Sequence, residues 1–80
     1  MRYFVYMLLC TDGSYYTGVA VDVQERFAKH VSGKGASYTR SHPPVKVVYT
    51  EELPDRGSAL RREHEIKKLS HHQKKTLVTM

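Results

Sequence analysis

The run Tyr3-Phe4-Val5-Tyr6-Met7-Leu8-Leu9-Cys10 constrains this chain more than any other segment. Eight aromatic, β-branched and apolar residues stand together, and Thr11-Asp12-Gly13-Ser14 then supplies turn chemistry before Tyr15-Tyr16-Thr17-Gly18-Val19 resumes the pattern. This reads as a β-hairpin. Its loop length decides which side chains share a face. A loop of three or five residues pairs Cys10 with Tyr16 and sets Tyr6 and Tyr16 on one face, whereas a loop of two or four sets them on opposite faces. The sequence leaves that register open.

Beyond the hairpin, Asp22-Val23-Gln24-Glu25 has the N-cap and third-position carboxylate of a helix start. Val23, Phe27 and Val31 then recur on one stripe, and Gly33 can supply a left-handed cap, which predicts a helix over Asp22 to Ser32. Gly33-Lys34-Gly35-Ala36-Ser37 is too glycine-rich to continue it. His42-Pro43-Pro44 forbids helix or central strand ahead of Val45-Lys46-Val47-Val48-Tyr49-Thr50, the third strand. After Pro54-Asp55-Arg56-Gly57, Ser58 can cap a helix reaching about Leu69, and Ser70-His71-His72-Gln73 repeats the capping pattern for a final basic helix. The expected fold is one α+β domain over residues 1–80, a three-stranded antiparallel sheet flanked by helices in the order β-β-α-β-α-α.

Eighty residues lie near the lower end of what buries an adequate core alone, so one fold has to carry the whole activity. Thirteen Lys and Arg against eight Asp and Glu give a net charge of +5, which on so small a body favours polyanionic partners. The single cysteine, Cys10, excludes an internal disulfide and suits the reducing cytoplasm; it is most simply a small buried apolar residue. Without a Cys-x-x-Cys pair, the five histidines do not make a structural zinc site, and His71-His72 lacks a third ligand. Phe4 to Cys10 is far too short to span a membrane.

Candidate site residues stand out by conflict with their surroundings. On the helix after Ser58, Leu60, Ile66 and Leu69 share an apolar sector with Ala59, and Glu63 falls inside it while Glu65 points nearly opposite. A carboxylate there needs a cation, an arginine, or a position facing a solvated cleft. Arg26 and His30 are four apart and hence neighbours beside the Val23/Phe27/Val31 stripe, though a solvated basic face would look the same. Tyr6 and Tyr16 are also the residue type that strands choose for packing. Gly18 reads as a close approach of substrate or helix to the strand, or as a bulge.

Taken jointly, Phe4-Val5-Tyr6, Tyr16-Thr17-Gly18, Arg26 with His30, and Ala59-x-x-x-Glu63-x-x-Ile66-Lys67 resemble the GIY-YIG nuclease domain in order and spacing. Gly33-Lys34-Gly35-Ala36-Ser37-Tyr38-Thr39-Arg40 and Lys67-Lys68-Leu69-Ser70 are similar to the small stand-alone bacterial branch, of the UPF0213 type. Phe4 stands where the family name has glycine, Thr17 where it has isoleucine, and the chain has no asparagine although many members end their motif set with one.

The resemblance implies an endonuclease hydrolysing DNA phosphodiesters, in repair, recombination or mobile-element biology. Its catalytic set would be Tyr6, Tyr16, Arg26, His30 and Glu63, with Glu63 as ligand of one Mg²⁺ or Mn²⁺ and Arg26 as the phosphate-binding fork. Lys34, Arg40 and Lys67 would touch the substrate backbone, and Gly18 would support the site. One tyrosine would act as base, aided by the metal and Arg26 or by a relay through His30, and either tyrosine fits that role. The expected partner is DNA, with single-stranded or branched forms included, and a monomer is favoured slightly over an oligomer. A nucleic-acid-binding module with weakened or lost catalysis is the alternative.

Overall fold

The computed structural model describes residues 1–80. Strands β1 (Tyr3–Cys10) and β2 (Tyr15–Ala20) form the hairpin. Helices α1 (Val23–Val31) and α2 (Ser37–Ser41) follow, then β3 (Pro44–Leu53), α3 (Arg56–Lys67) and α4 (His71–Thr79). The expected α+β order holds, with the five-residue α2 added in a segment too glycine-rich and short to announce itself. The antiparallel sheet runs β2-β1-β3, which puts the most apolar strand in the centre. Val5, Tyr6, Met7 and Leu8 are consecutively buried because helices cover both faces.

Residues of odd number on β1, Val5 and Met7, pack with Ala59 and Ile66 of α3 and with Leu77 and Val78 of α4. Even-numbered Tyr6 and Leu8 pack with Ala20, Tyr16 and Val47 and with Val23 and Phe27 of α1. So α1 and α3 lie on opposite faces of the sheet.

The hairpin loop is three residues long, Thr11-Asp12-Gly13, with Gly13 at φ +84° where an L side chain would be strained. The Gly13 amide donates to the Cys10 carbonyl, and Asp12 accepts from the Ser14 amide at 3.0 Å. Cys10 lies across from Ser14, and Tyr16 pairs with Leu8, not with Cys10 as expected. The displacement is two residues, an even number, so Tyr6 and Tyr16 still share a face.

Four local expectations change. Asp55, not Ser58, caps α3, its carboxylate accepting from the Ser58 amide at 2.7 Å, so the helix starts two residues before Ser58. Val31 is 59% exposed, and His30 takes the buried place on α1 that the apolar stripe had assigned to it. Leu60 is 40% exposed at the rim of a cleft instead of buried with Ile66. The third strand also runs three residues past Thr50, where Glu51 and Glu52 find Arg62 and Arg2 at 3.0 and 3.3 Å. At α4 the Ser70/Gln73 capping box forms as expected.

Candidate active site

Because β2 is an edge strand, a cleft of about 340 Å³ can wrap round it and collect side chains from both faces. Tyr6 and Tyr16 enter from the hairpin, Arg26 from α1, and Arg56, Leu60 and Glu63 from α3. Successive sites one helical turn apart put the last three on one stripe. Four of the five expected catalytic residues therefore line one cleft, and the fifth, His30, stands behind Tyr6.

Gly18 makes that arrangement possible by what it lacks. It pairs with Tyr6 across the hairpin, and a Cβ there would come within 2.6 Å of the Tyr6 hydroxyl. The close approach expected of Gly18 is thus by a side chain of this same chain, neither substrate nor helix. Lying over Gly18, the Tyr6 ring extends its hydroxyl to His30 Nε2 at 2.9 Å, while Tyr16 sits 6.3 Å from the Tyr6 ring and 4.9 Å from the imidazole.

Both partners of that hydrogen bond are buried. Burial, then the neighbouring Tyr16, push the Tyr6 phenol well above its ordinary range, Glu63 adds to this, and Arg26 opposes it. Burial and Arg26 push His30 below its usual value, which keeps it neutral at neutral pH. The pair rests as a neutral phenol against a neutral imidazole. With no exposed surface of its own, Tyr6 meets a water only when the groups beside it part.

Glu63 keeps one oxygen 3.4 Å from the Lys67 ammonium, and its side chain is 20% exposed. The expected conflict with the apolar stripe is thus resolved by a lysine one turn on together with a cleft-facing position. Lys67, expected on substrate, is occupied with Glu63. Glu65 is 66% exposed and pairs with Arg62 at 3.3 Å, pointing away from the site.

No group of three or more His, Cys, Asp and Glu residues is gathered anywhere in the protein. Glu63 alone suits an ion that keeps most of its waters and shares phosphate oxygens, as Mg²⁺ does, and does not suit zinc.

A second hollow, about 380 Å³, adjoins the first through Tyr16 and Arg26. Lys29, His30 and Lys34 complete its polar lining, so it holds three cationic side chains and no carboxylate. Lys34 is therefore beside the site, whereas Arg40 is exposed on α2 and lines neither hollow.

Three residues escaped sequence reasoning. Arg56 lines the first cleft, and its signal was a place one turn before Leu60 and two before Glu63 on the same helical stripe. Thr39, buried on α2, has its hydroxyl 2.8 Å from His30 Nδ1. Gly35 abuts the same imidazole, since a Cβ there would lie 2.2 Å from Nδ1. Nothing in a short Gly/Ser-rich stretch pointed to either contact.

Comparison with known proteins identifies the family and bears out the fold. The GIY-YIG catalytic domain matches residues 2–76. The UPF0213 protein BH0048 of Halalkalibacterium halodurans is 48% identical over 80 residues, covering all of this chain and 85% of the relative. The UPF0213 protein VNG_2274C of Halobacterium salinarum is 49% identical, covering 91% of this chain and 95% of its own. Two solution NMR structures are similar over 99% of this chain and 84% of theirs. BH0048 from Bacillus halodurans superposes with a TM-score of 0.62 at 48% identity, and EF2693 from E. faecalis with 0.66 at 35%.

Proposed function

The chain belongs to the GIY-YIG family of catalytic domains, which implies a nuclease-type function and a nucleic-acid substrate, and from this premise we propose that it is a metal-dependent DNA endonuclease. One observation carries the reading. Tyr6, Tyr16, Arg26 and Glu63 share a cleft, with His30 hydrogen-bonded behind Tyr6. Hydrolysis needs an activated water, stabilisation of charge on the phosphate and help for the departing oxygen, and the cleft has a group for each.

A water entering between Tyr16 and Arg26 would give its proton to the Tyr6 oxygen as the Tyr6 proton passes to His30 Nε2. The proton then ends on the imidazole, and no free phenolate forms. This favours Tyr6 over Tyr16 as the base, because Tyr6 alone has an acceptor in line. As the water oxygen bonds to phosphorus, the bond to the leaving oxygen breaks, and that oxygen takes a proton from solvent in the cleft. Arg26 would hold two phosphate oxygens with its planar fork. Glu63 would release Lys67 and hold a divalent ion, which when bound supplies charge neutralisation at the leaving oxygen. Tyr16, half-buried between Tyr6 and the second hollow, would position water or phosphate.

Fluorescent single-stranded, duplex and branched DNA, incubated with Mg²⁺ or Mn²⁺ and then with EDTA, tests the reading. Cleavage that EDTA abolishes is expected. Glu63→Gln should lose cleavage while keeping fold and DNA affinity, because a neutral amide suits the same half-buried position without ligating the ion. Glu65→Gln should cleave like the parent. Equal activity in the two variants would remove Glu63 from the metal site. Salt-sensitive binding without cleavage on any substrate would leave a DNA-binding module in place of an enzyme.

A further inference from the structure

We propose that Thr39 is a positioning residue that holds His30 as its Nδ1–H tautomer and thereby makes Nε2 the proton acceptor for Tyr6, an inference that rests on the nuclease reading for its catalytic consequence. Tyr6 has no exposed surface, and His30 Nε2, at 2.9 Å, is the hydrogen-bond partner of its hydroxyl. A buried phenol O–H without an acceptor is costly, so it donates to Nε2, which must then be bare.

A neutral imidazole carries its one proton on the other nitrogen. Nδ1 faces the Thr39 hydroxyl at 2.8 Å, and that hydroxyl donates its own proton to the Ala36 carbonyl at 2.9 Å. Toward His30, Thr39 can only accept. Every donor in the series Tyr6, His30, Thr39 therefore finds an acceptor when the bonds run Tyr6 to His30, His30 to Thr39 and Thr39 to Ala36. Run the other way, His30 would donate to the Tyr6 oxygen, leaving the Tyr6 O–H with nothing to receive it and blocking the oxygen that must take up a proton.

The surrounding fold serves this contact. Thr39 is the one buried residue of α2, whose other side chains lie partly or wholly in solvent. Gly35 clears the space on the same side of the ring, where any Cβ would strike Nδ1. The glycine-rich loop and the short helix thus act together to seat one imidazole edge against one hydroxyl.

The experiment is nitrogen-detected NMR of the full chain together with single-turnover cleavage, on the parent and on Thr39→Ser, Thr39→Val and Thr39→Ala. His30 in the parent and in Thr39→Ser should show a protonated Nδ1 and a lone pair at Nε2, and Thr39→Val should move the proton toward Nε2. Cleavage by Thr39→Val should fall by about 100-fold or more at unchanged KM, the order that a misplaced general-base proton costs, with Thr39→Ser close to the parent. Thr39→Ala replaces Thr39→Val if the latter does not fold. A parent spectrum with the proton on Nε2, or hydroxyl-free variants that keep it on Nδ1, would overturn the assignment. If the parent shows the Nδ1–H form but cleaves nothing, the nuclease reading fails while the tautomer assignment stands.

Discussion

At the residue scale the site depends on small groups as much as on reactive ones. Gly18→Ala places a methyl where the Tyr6 ring lies, an overpacking that costs about 1–3 kcal/mol and drives the hydroxyl off His30. Urea unfolding should show the loss, and cleavage should fall more than stability explains. Thr17 runs the other way. Its hydroxyl is buried without a hydrogen-bond partner, at the position where the family name has isoleucine. Thr17→Val keeps the shape and removes an orphaned group, so we expect stabilisation of about 1 kcal/mol. A lower urea midpoint would mean that an unseen partner satisfies that hydroxyl. His30 adds a pH signature. Its folded value lies below the unfolded one of about 6.5, so its contribution to stability is complete above that pH and is lost as pH falls through the folded value. Acid unfolding of His30→Gln should lack this component.

Elements show where pattern reading succeeded and where a neighbour decided. The α4 capping box was legible because both partners are local in sequence, and Ser70→Ala should cost about 1 kcal/mol. For α3 two capping residues competed three positions apart, and Asp55 prevailed, taking the Ser58 amide and adding a turn. Asp55→Ala should accordingly lower the midpoint of thermal unfolding, while Ser58→Ala should leave it nearly unchanged. The reverse order would restore the shorter helix. On α1 periodicity marked Val31 as buried, yet the helix turns His30 inward, because Tyr6 and Thr39 satisfy both ring nitrogens. A polar residue with two fitted partners can occupy a core position that an aliphatic one leaves.

Across the whole molecule, charge and shape act together. Arg26 is shared by the two hollows, Glu63 and Arg56 line one, and Lys29 and Lys34 line the other, so a polyanionic strand can run from the Glu63 end to a cationic end without a lining carboxylate. The logarithm of DNA affinity, measured with EDTA present, should fall linearly with log salt. Lys34→Ala should reduce the slope by about 0.7 on single strands or 0.9 on duplex if Lys34 meets one phosphate. Arg40→Ala, outside both hollows, should leave the slope near that of the parent.

The sequence by itself determined the β-β-α-β-α-α order, the identity of the site residues as candidates and the family. Those depend on local periodicity, capping and motif spacing, which lie within a few turns of chain. The hairpin register was not among them, since a loop of three or four residues reads the same in Thr-Asp-Gly-Ser until strand pairing selects one. The meeting of Glu63 with Tyr6 and Arg26 was expected, but its route was not, because α1 and α3 pack on opposite faces and come together only round the edge of β2. Thr39 and Gly35 were invisible for the same reason: their value lies wholly in touching His30, a contact that exists only once the chain has closed on itself.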